Sequence, residues 1–310
     1  MKPSVALTLL VVGLFSSAQA IRASAFVLNP DGTFVTITIL GGGVLYGIND
    51  SGQLVGDSNS SGPFVYSAGV FTTINVPGGP AQASGINNHG QVSGWYETIN
   101  PIGTHGFIDS NGDLMTIDVP GHNDNPGTLA YSINNAGQVT GWFTNDTGEH
   151  VFIDTNGVFT TFDVAGEPGQ LNVGIGINDS GQVVGAFGRS SDSFRHGFLY
   201  SGGVLKTIDV PGATYTQPWG INDSGQIVGF YFDATGVEHG FLYVDGVFTT
   251  IDAPGATGTQ LFGINDQGQI VGSSSFFATP EPASLLLLAS GLAALAILIV
   301  RSRITGTSSY

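Results

Sequence analysis

The chain has 310 residues, 48 of them Gly, 14 Pro and none Cys, with 23 acidic side chains against 7 basic and a formal charge of -16. Only 10% of residues are charged, well below the share in ordinary globular domains, while 41% are hydrophobic. This excludes a coiled coil, a helical bundle and a disulfide scaffold, and it excludes nucleic acid as a partner, which needs clustered Lys and Arg. Enough apolar residues remain to bury a core, so an acidic, Gly-rich, all-β protein is left.

Residues 1–20 open with Lys2, run through the apolar stretch from Val5 to Phe15 and end in Ala18-Gln19-Ala20. Basic, apolar and small-residue segments in that order predict a signal peptide, cut by signal peptidase after Ala20. An exported chain without Cys is stabilised without disulfides.

Residues 21–276 are one unit written six times. The phrase GINDSGQLVG at Gly47 returns at Gly85, Ser132, Gly176, Gly220 and Gly263, which places its Asn at 49, 87, 134, 178, 222 and 265. A second phrase alternates with it, clearest as HGFLYSGGVLKTIDVPG from His196 and HGFLYVDGVFTTIDAPG from His239. Each phrase holds two short β-prone runs around a Gly-bearing polar turn, and so reads as a hairpin. In the first phrase the turn is Asn-Asp-Ser-Gly or a variant, where Asn, Asp and Gly all tolerate left-handed backbone.

Two hairpins per repeat make four strands, the content of one β-propeller blade. In the run Val247 to Ile251, Phe248 and Ile251 fall on opposite faces, so both faces carry apolar groups, as a blade between two neighbours requires. Ala25 to Gly43 matches the second phrase, with Phe26, the turn at Asp31-Gly32, and the pair Phe34 and Ile37. The last Gly-Ile-Asn phrase has no second phrase after it. The orphan ends complete each other, which predicts a closed six-bladed propeller without free edges. The alternative is a β-solenoid.

These repeats resemble those of the HAF family of bacterial extracellular repeat proteins, named for a His-Ala-Phe-like phrase that stands here as His-Gly-Phe. The likeness spans Ala25 to Ser275 and implies secretion or surface display without implying a reaction. Departures are Pro63 where His is expected and His150-Val151 where Gly should follow.

Residues 277–282 form a linker ending in Pro280-Glu281-Pro282. Residues 283–300 are 18 apolar or small residues, about 27 Å long as a transmembrane helix. Residues 301–310 are a basic tail, in which Arg301 and Arg303 hold that end in the cytoplasm. Pro-Glu-Pro, helix and arginines in this order resemble the PEP-CTERM sorting signal. The resemblance implies an exosortase-type protease that cleaves near Pro280-Glu281-Pro282, ending a transient membrane anchoring and releasing the chain to the outer surface. The tail from Ile304 to Tyr310 is longer than that pattern usually has.

His105, His150, His196 and His239 open the same strand in successive repeats, so ring geometry holds them apart and they read as caps or rim residues. Asp50, Asp179, Asp223 and Asp266 sit in the first hairpin turn and are explained by turn chemistry. Asp109-Ser110-Asn111-Gly112-Asp113 places three oxygen-bearing side chains at alternate positions, like the start of a calcium loop, but its register is that of a hairpin turn and no distal Glu completes it. No metal and no other cofactor is expected. No nucleophile triad, phosphate loop or His-Glu-x-x-His phrase occurs, which points away from an enzyme.

What departs from the repeat is aromatic. Trp95, Tyr96, Trp142 and Tyr231 follow the second strand of a blade, and Trp219 precedes a Gly-Ile-Asn phrase, as do Tyr46, Tyr131 and Phe262. Of these, Trp95, Tyr96, Trp142, Trp219 and Tyr231 are candidates for stacking on sugar rings, against the alternative that they are packing between blades. Glu97 to Thr104, Gly121 to Leu129 and Gly188 to Arg195 read as rim loops. The sequence thus predicts a secreted, surface-sorted, non-catalytic structural or binding protein of the bacterial extracellular matrix, with polysaccharide as partner. The alternatives are a propeller polysaccharide hydrolase or lyase, or a protein-interaction scaffold.

Overall fold

A computed structural model describes residues 22–123, 127–164, 170–189 and 195–276. The signal segment, Pro280-Glu281-Pro282, the apolar stretch 283–300, and Arg301 and Arg303 lie outside the described residues, as do parts of the two later rim loops.

Each pair of phrases folds as two hairpins lying side by side in one four-stranded sheet. In the first blade the neighbours are, in order, Gly43–Ile48, Leu54–Ser58, Gly62–Ser67 and Val70–Thr73. Residues 81–117, 128–162, 170–207 and 215–251 build four more blades in the same way. The sixth joins the two ends: Gly258–Ile264, Ile270–Phe276, Arg22–Leu28 and Phe34–Ile37 are successive neighbours. The ring therefore closes as the offset phrases require, and the solenoid is excluded.

The two phrases interlock through one residue each. The Phe of the second phrase, Phe26, Phe64, Phe107, Phe152, Phe198 or Phe241, is 0 to 3% exposed in its blade. It lies over the Gly that ends the first phrase. A Cβ on Gly94 would stand 2.6 Å from the Phe107 ring, and one on Gly272 would stand 2.7 Å from Phe26. Phe in one phrase thus dictates Gly in the other, which keeps the core close-packed.

Innermost in every blade is the first strand of the Gly-Ile-Asn phrase. Each of these six strands carries a register shift at one place, between residues 45 and 47, 83 and 85, 130 and 132, 174 and 176, 218 and 220, and 261 and 263. A bulge re-aims the extra side chain, here Tyr46, Ser84, Tyr131, Ile175, Trp219 or Phe262. Neighbouring inner strands come so close at the next residue that a Cβ on Gly176 would meet the Trp219 carbonyl oxygen at 2.5 Å.

The first-phrase turn differs from the sequence expectation. Its Gly alone is left-handed, with φ between 71° and 76°, whereas left-handed Asn and Asp occur in the second-phrase turn at Asn111, Asn156 and Asp245. The first-phrase Asn is held otherwise. Asn49 is 2% exposed and its Oδ1 accepts from the N–H groups of Ser51 and Gln53, an Asx turn repeated in the other blades. Its amide donates to Gln53 Oε1 and to the carbonyl of Asn87 in the next blade.

Burial on both faces holds for the second and third strands but fails for the fourth. Val70, Val158, Val204 and Val247 are 61 to 69% exposed and Phe248 is half-buried, because blades splay apart with radius and leave one face of the outer strand wet. Tyr residues partly fill the splay. Tyr200 of the fourth blade stacks on Phe162 of the third at 4.1 Å, and Tyr243 of the fifth accepts a hydrogen bond from Lys206 of the fourth at 2.9 Å. Tyr66 likewise packs against the cluster holding Ile37, across the closure.

Candidate functional site

The bulge residues meet on the ring axis and plug it. Trp219 lies 4.9 Å from Phe262, 6.0 Å from Tyr131 and 6.1 Å from Tyr46, ring centre to ring centre. About 90 Å³ of space remains among them, and about 70 Å³ at the other end of the channel. Both are far below the roughly 300 Å³ at which small-molecule pockets begin.

Three partly buried carboxylates stand near the aromatic end, and one of them, Asp57, breaks the repeat. Asp57 occupies the position held by Trp95, Trp142, Ala186, Phe230 and Ser273 in the other blades. Its Oδ1 is buried without a partner, and burial pushes its carboxyl up to about 6. Burial also raises the Tyr46 hydroxyl, with the Asp57 charge adding to the effect. Glu149 and Glu238 are both raised by burial; Arg195 opposes the shift at the former and a hydrogen bond from Gln260 at the latter. Among the described residues no three His, Asp or Glu side chains converge as metal ligands.

At the opposite end two hydrogen-bonded circuits run through all six blades. In the buried one, each Asn amide donates to the carbonyl of the next Asn: Asn49 to Asn87, then Asn134, Asn178, Asn222, Asn265 and back to Asn49, at 2.9 to 3.2 Å. In the exposed one, the backbone N–H of Asp50, Asn88, Asn135, Asp179, Asp223 or Asp266 donates to the side-chain oxygen of its neighbour in the same order. These Asp residues therefore do more than make turns. Burial raises the Asp223 carboxyl, and the charges of Asp266 and Asp179 add to that against a backbone hydrogen bond from Asp179.

Each predicted rim His is committed within its own blade. His105, His150, His196 and His239 place Nδ1 3.0, 2.7, 2.8 and 2.9 Å from Asp118, Asp163, Asp209 and Asp252. An aromatic ring covers each: Tyr96, Phe143, Phe187 or Tyr231, with centres 5.2 to 5.5 Å away. In the first blade the register pairs Ser58 with Gly62 as Tyr96 pairs with His105, so Gly62 rather than Pro63 stands in the His position.

This geometry sorts the five stacking candidates. Tyr96 is 6% exposed and lies against His105 with its hydroxyl bonded to Thr116, while Tyr231 repeats the arrangement with His239 and Thr250. Those rings have a face already taken. Trp142 is half-buried and packs, with Tyr131, against one buried cluster. Trp219 belongs to the axial plug. Trp95 is half-buried, and its Nε1, like that of Trp219, is buried without a partner. The structure does not bring the five together. Asp57 and the two circuits escaped sequence reasoning, although Asp at a position otherwise apolar or small was a visible signal.

In fold the chain is similar to solved structures. A structure designated TolB from Agrobacterium tumefaciens is 13% identical with TM-score 0.61, the alignment covering 83% of this chain and 99% of that one. An Aleuria aurantia lectin in complex with Fucalpha1-6GlcNAc is 12% identical with TM-score 0.46, covering 82% and 85%. A gluconolactonase from Xanthomonas campestris is 9% identical with TM-score 0.48, covering 84% and 96%. At such identities the first likeness carries the propeller fold and nothing further. No family model matches the chain, and no curated protein matches it.

Proposed function

We propose that the chain is an exported, surface-sorted propeller that binds neutral polysaccharide of the bacterial extracellular matrix without cleaving it. One observation carries the non-catalytic part: every His–carboxylate pair named above recurs by the repeat and is closed in by a ring, whereas acid–base catalysis needs a set of groups that converges once. The preference for a neutral glycan rests on charge. Between residues 21 and 282 stand 23 acidic side chains and only four basic ones, Arg22, Arg189, Arg195 and Lys206, so an anionic polymer is repelled. Sorting by signal peptidase and an exosortase-type protease is part of the same reading.

The test is calorimetric titration of the full chain, held in detergent, with a panel of neutral and acidic polysaccharides, and an assay of each mixture for new reducing or unsaturated ends. Binding of a neutral polymer without cleavage is expected. New chain ends would move the reading to a hydrolase or lyase, and silence across the panel would leave a scaffold.

A further inference from the structure

We propose that the cleft between the first and second blades is a binding site for a sugar residue of a neutral polysaccharide; the proposal rests on the carbohydrate reading above and gives it a place. The cleft has a volume of about 620 Å³, inside the range of small-molecule pockets, and it opens where a short side chain in the second blade faces Thr72 in the first. Where Tyr66, Tyr200 and Tyr243 lean on the outer strand of the preceding blade, the second blade carries Asp109; the third carries Asp154, but the strand before it has Met115 at the position of Thr72. Across from it, Thr72 and Ile74 of the first blade stand where the fourth blade has Lys206 and Ile208, and both line the opening.

The exchange of a phenol for a carboxylate also changes the chemistry of the walls. Asp109 Oδ1 accepts from the Gly112 N–H at 3.1 Å, which fixes the carboxylate as an acceptor at the bottom of the cleft. Asn75, His89 and Asn111 stand around it, and none of these three side chains has a hydrogen-bond partner among the described residues. His89 breaks the repeat, since the same turn position carries Ser, Ala or Gln elsewhere. Val65 and Val70 add an apolar strip. Fixed acceptors and amide donors beside aliphatic carbon match the alternating hydroxyls and C–H faces of a pyranose. Among the described residues no Lys or Arg lines the cleft to attract an anion.

A second opening supports the choice. Between the fifth and sixth blades Leu28 takes the Tyr position and leaves about 390 Å³, but its walls include Leu28, Phe34, Leu242 and Ile251. That opening lacks the set of uncommitted amides and imidazole.

Asp109→Tyr restores the residue that three other blades carry and fills the cleft. In the full chain it should weaken binding of the neutral polysaccharide at least tenfold while leaving the melting temperature within a few degrees. Asn75→Ala and His89→Ala, both on the surface, should each weaken binding roughly two- to tenfold, the range of one hydrogen bond, and Trp219→Ala should not if the protein stays folded. Unchanged affinity in Asp109→Tyr overturns the cleft and leaves the carbohydrate reading standing. If that variant melts early, Asn75→Ala and His89→Ala decide, and wild-type affinity in both overturns it. A wild-type chain that binds no neutral glycan takes the carbohydrate reading, and the cleft with it, away.

Discussion

Asn265 donates its side-chain amide to the main-chain carbonyl of Asn49 at 3.0 Å, across 216 residues of sequence. The same bond joins each blade to the next, so the closure is chemically no different from the other five joints. The repeat phrase thus encodes its own neighbour: the Asn that shapes a turn through its oxygen spends its amide on the following blade. Strand pairing in the sixth blade and the Asn circuit close the ring at two radii.

Replacing Asn265 by Ala removes two donated and one accepted hydrogen bond, leaving the Gln269 N–H and Oε1 without their partner and the buried Asn49 carbonyl with only the Gly52 N–H. Buried polar groups left unsatisfied cost about 1 to 3 kcal/mol each, so a loss on the order of 3 kcal/mol is expected. Asp266→Ala, in the exposed circuit, should cost under about 1 kcal/mol. Denaturant titration of both variants checks the ranking; equal losses would mean that the buried circuit has no special weight.

Deleting residues 22–37 strips two strands from the sixth blade and exposes the edge of Ile270–Phe276. It also removes Phe26, the sixth member of the buried Phe set. An exposed edge and a lost aromatic core residue together predict aggregation or a melting temperature lower by more than ten degrees. Scanning calorimetry of the shortened chain that returned the wild-type transition would show that closure contributes little.

Much of this was legible in the chain. Six phrases and six matching phrases, offset by half a unit, lead directly to the closed ring, because the pairing of Phe26 and Phe34 repeats that of Phe241 and Phe248. Sites were less legible because periodicity reports positions in a blade and leaves out what lies across from them. Trp219 looked like a platform until a bulge turned it onto the axis among Tyr46, Tyr131 and Phe262. Asp109 looked like part of a turn, and its meaning depends on Thr72 and Ile74, contributed by the neighbouring blade.

The sorting reading predicts a mature chain that ends near Pro280-Glu281-Pro282 and begins at Ile21. Mass spectrometry of protein washed from the cell surface checks both ends at once. A surface species that retains Tyr310 would indicate a simple anchor in place of cleavage.

Asp57 offers a pH test with a definite sign. Its folded carboxyl titrates near 6 against an ordinary value of 3.8, because burial penalises the charged form. Between these values the folded protein binds a proton that the unfolded chain does not, so stability contributed by this group falls as pH rises from about 4 to 6 and is lowest above. Below about 4 the carboxyl is protonated in both states and the penalty vanishes. This slope is opposite to that of an Asp held by a salt bridge. The full shift is worth about 3 kcal/mol, and discounting for partial exposure leaves on the order of 1 to 2 kcal/mol. Asp57→Ser installs the residue that Ser273 supplies in the sixth blade. The variant should be more stable than wild type by that amount at pH 7.5, and the advantage should shrink to near zero at pH 4. Other buried carboxylates, Glu149, Glu238 and Asp154, titrate in both proteins, so the difference between the two denaturation curves isolates Asp57. A difference that stays constant from pH 4 to 7.5 would mean that Asp57 is ionised throughout and finds a partner for its oxygen.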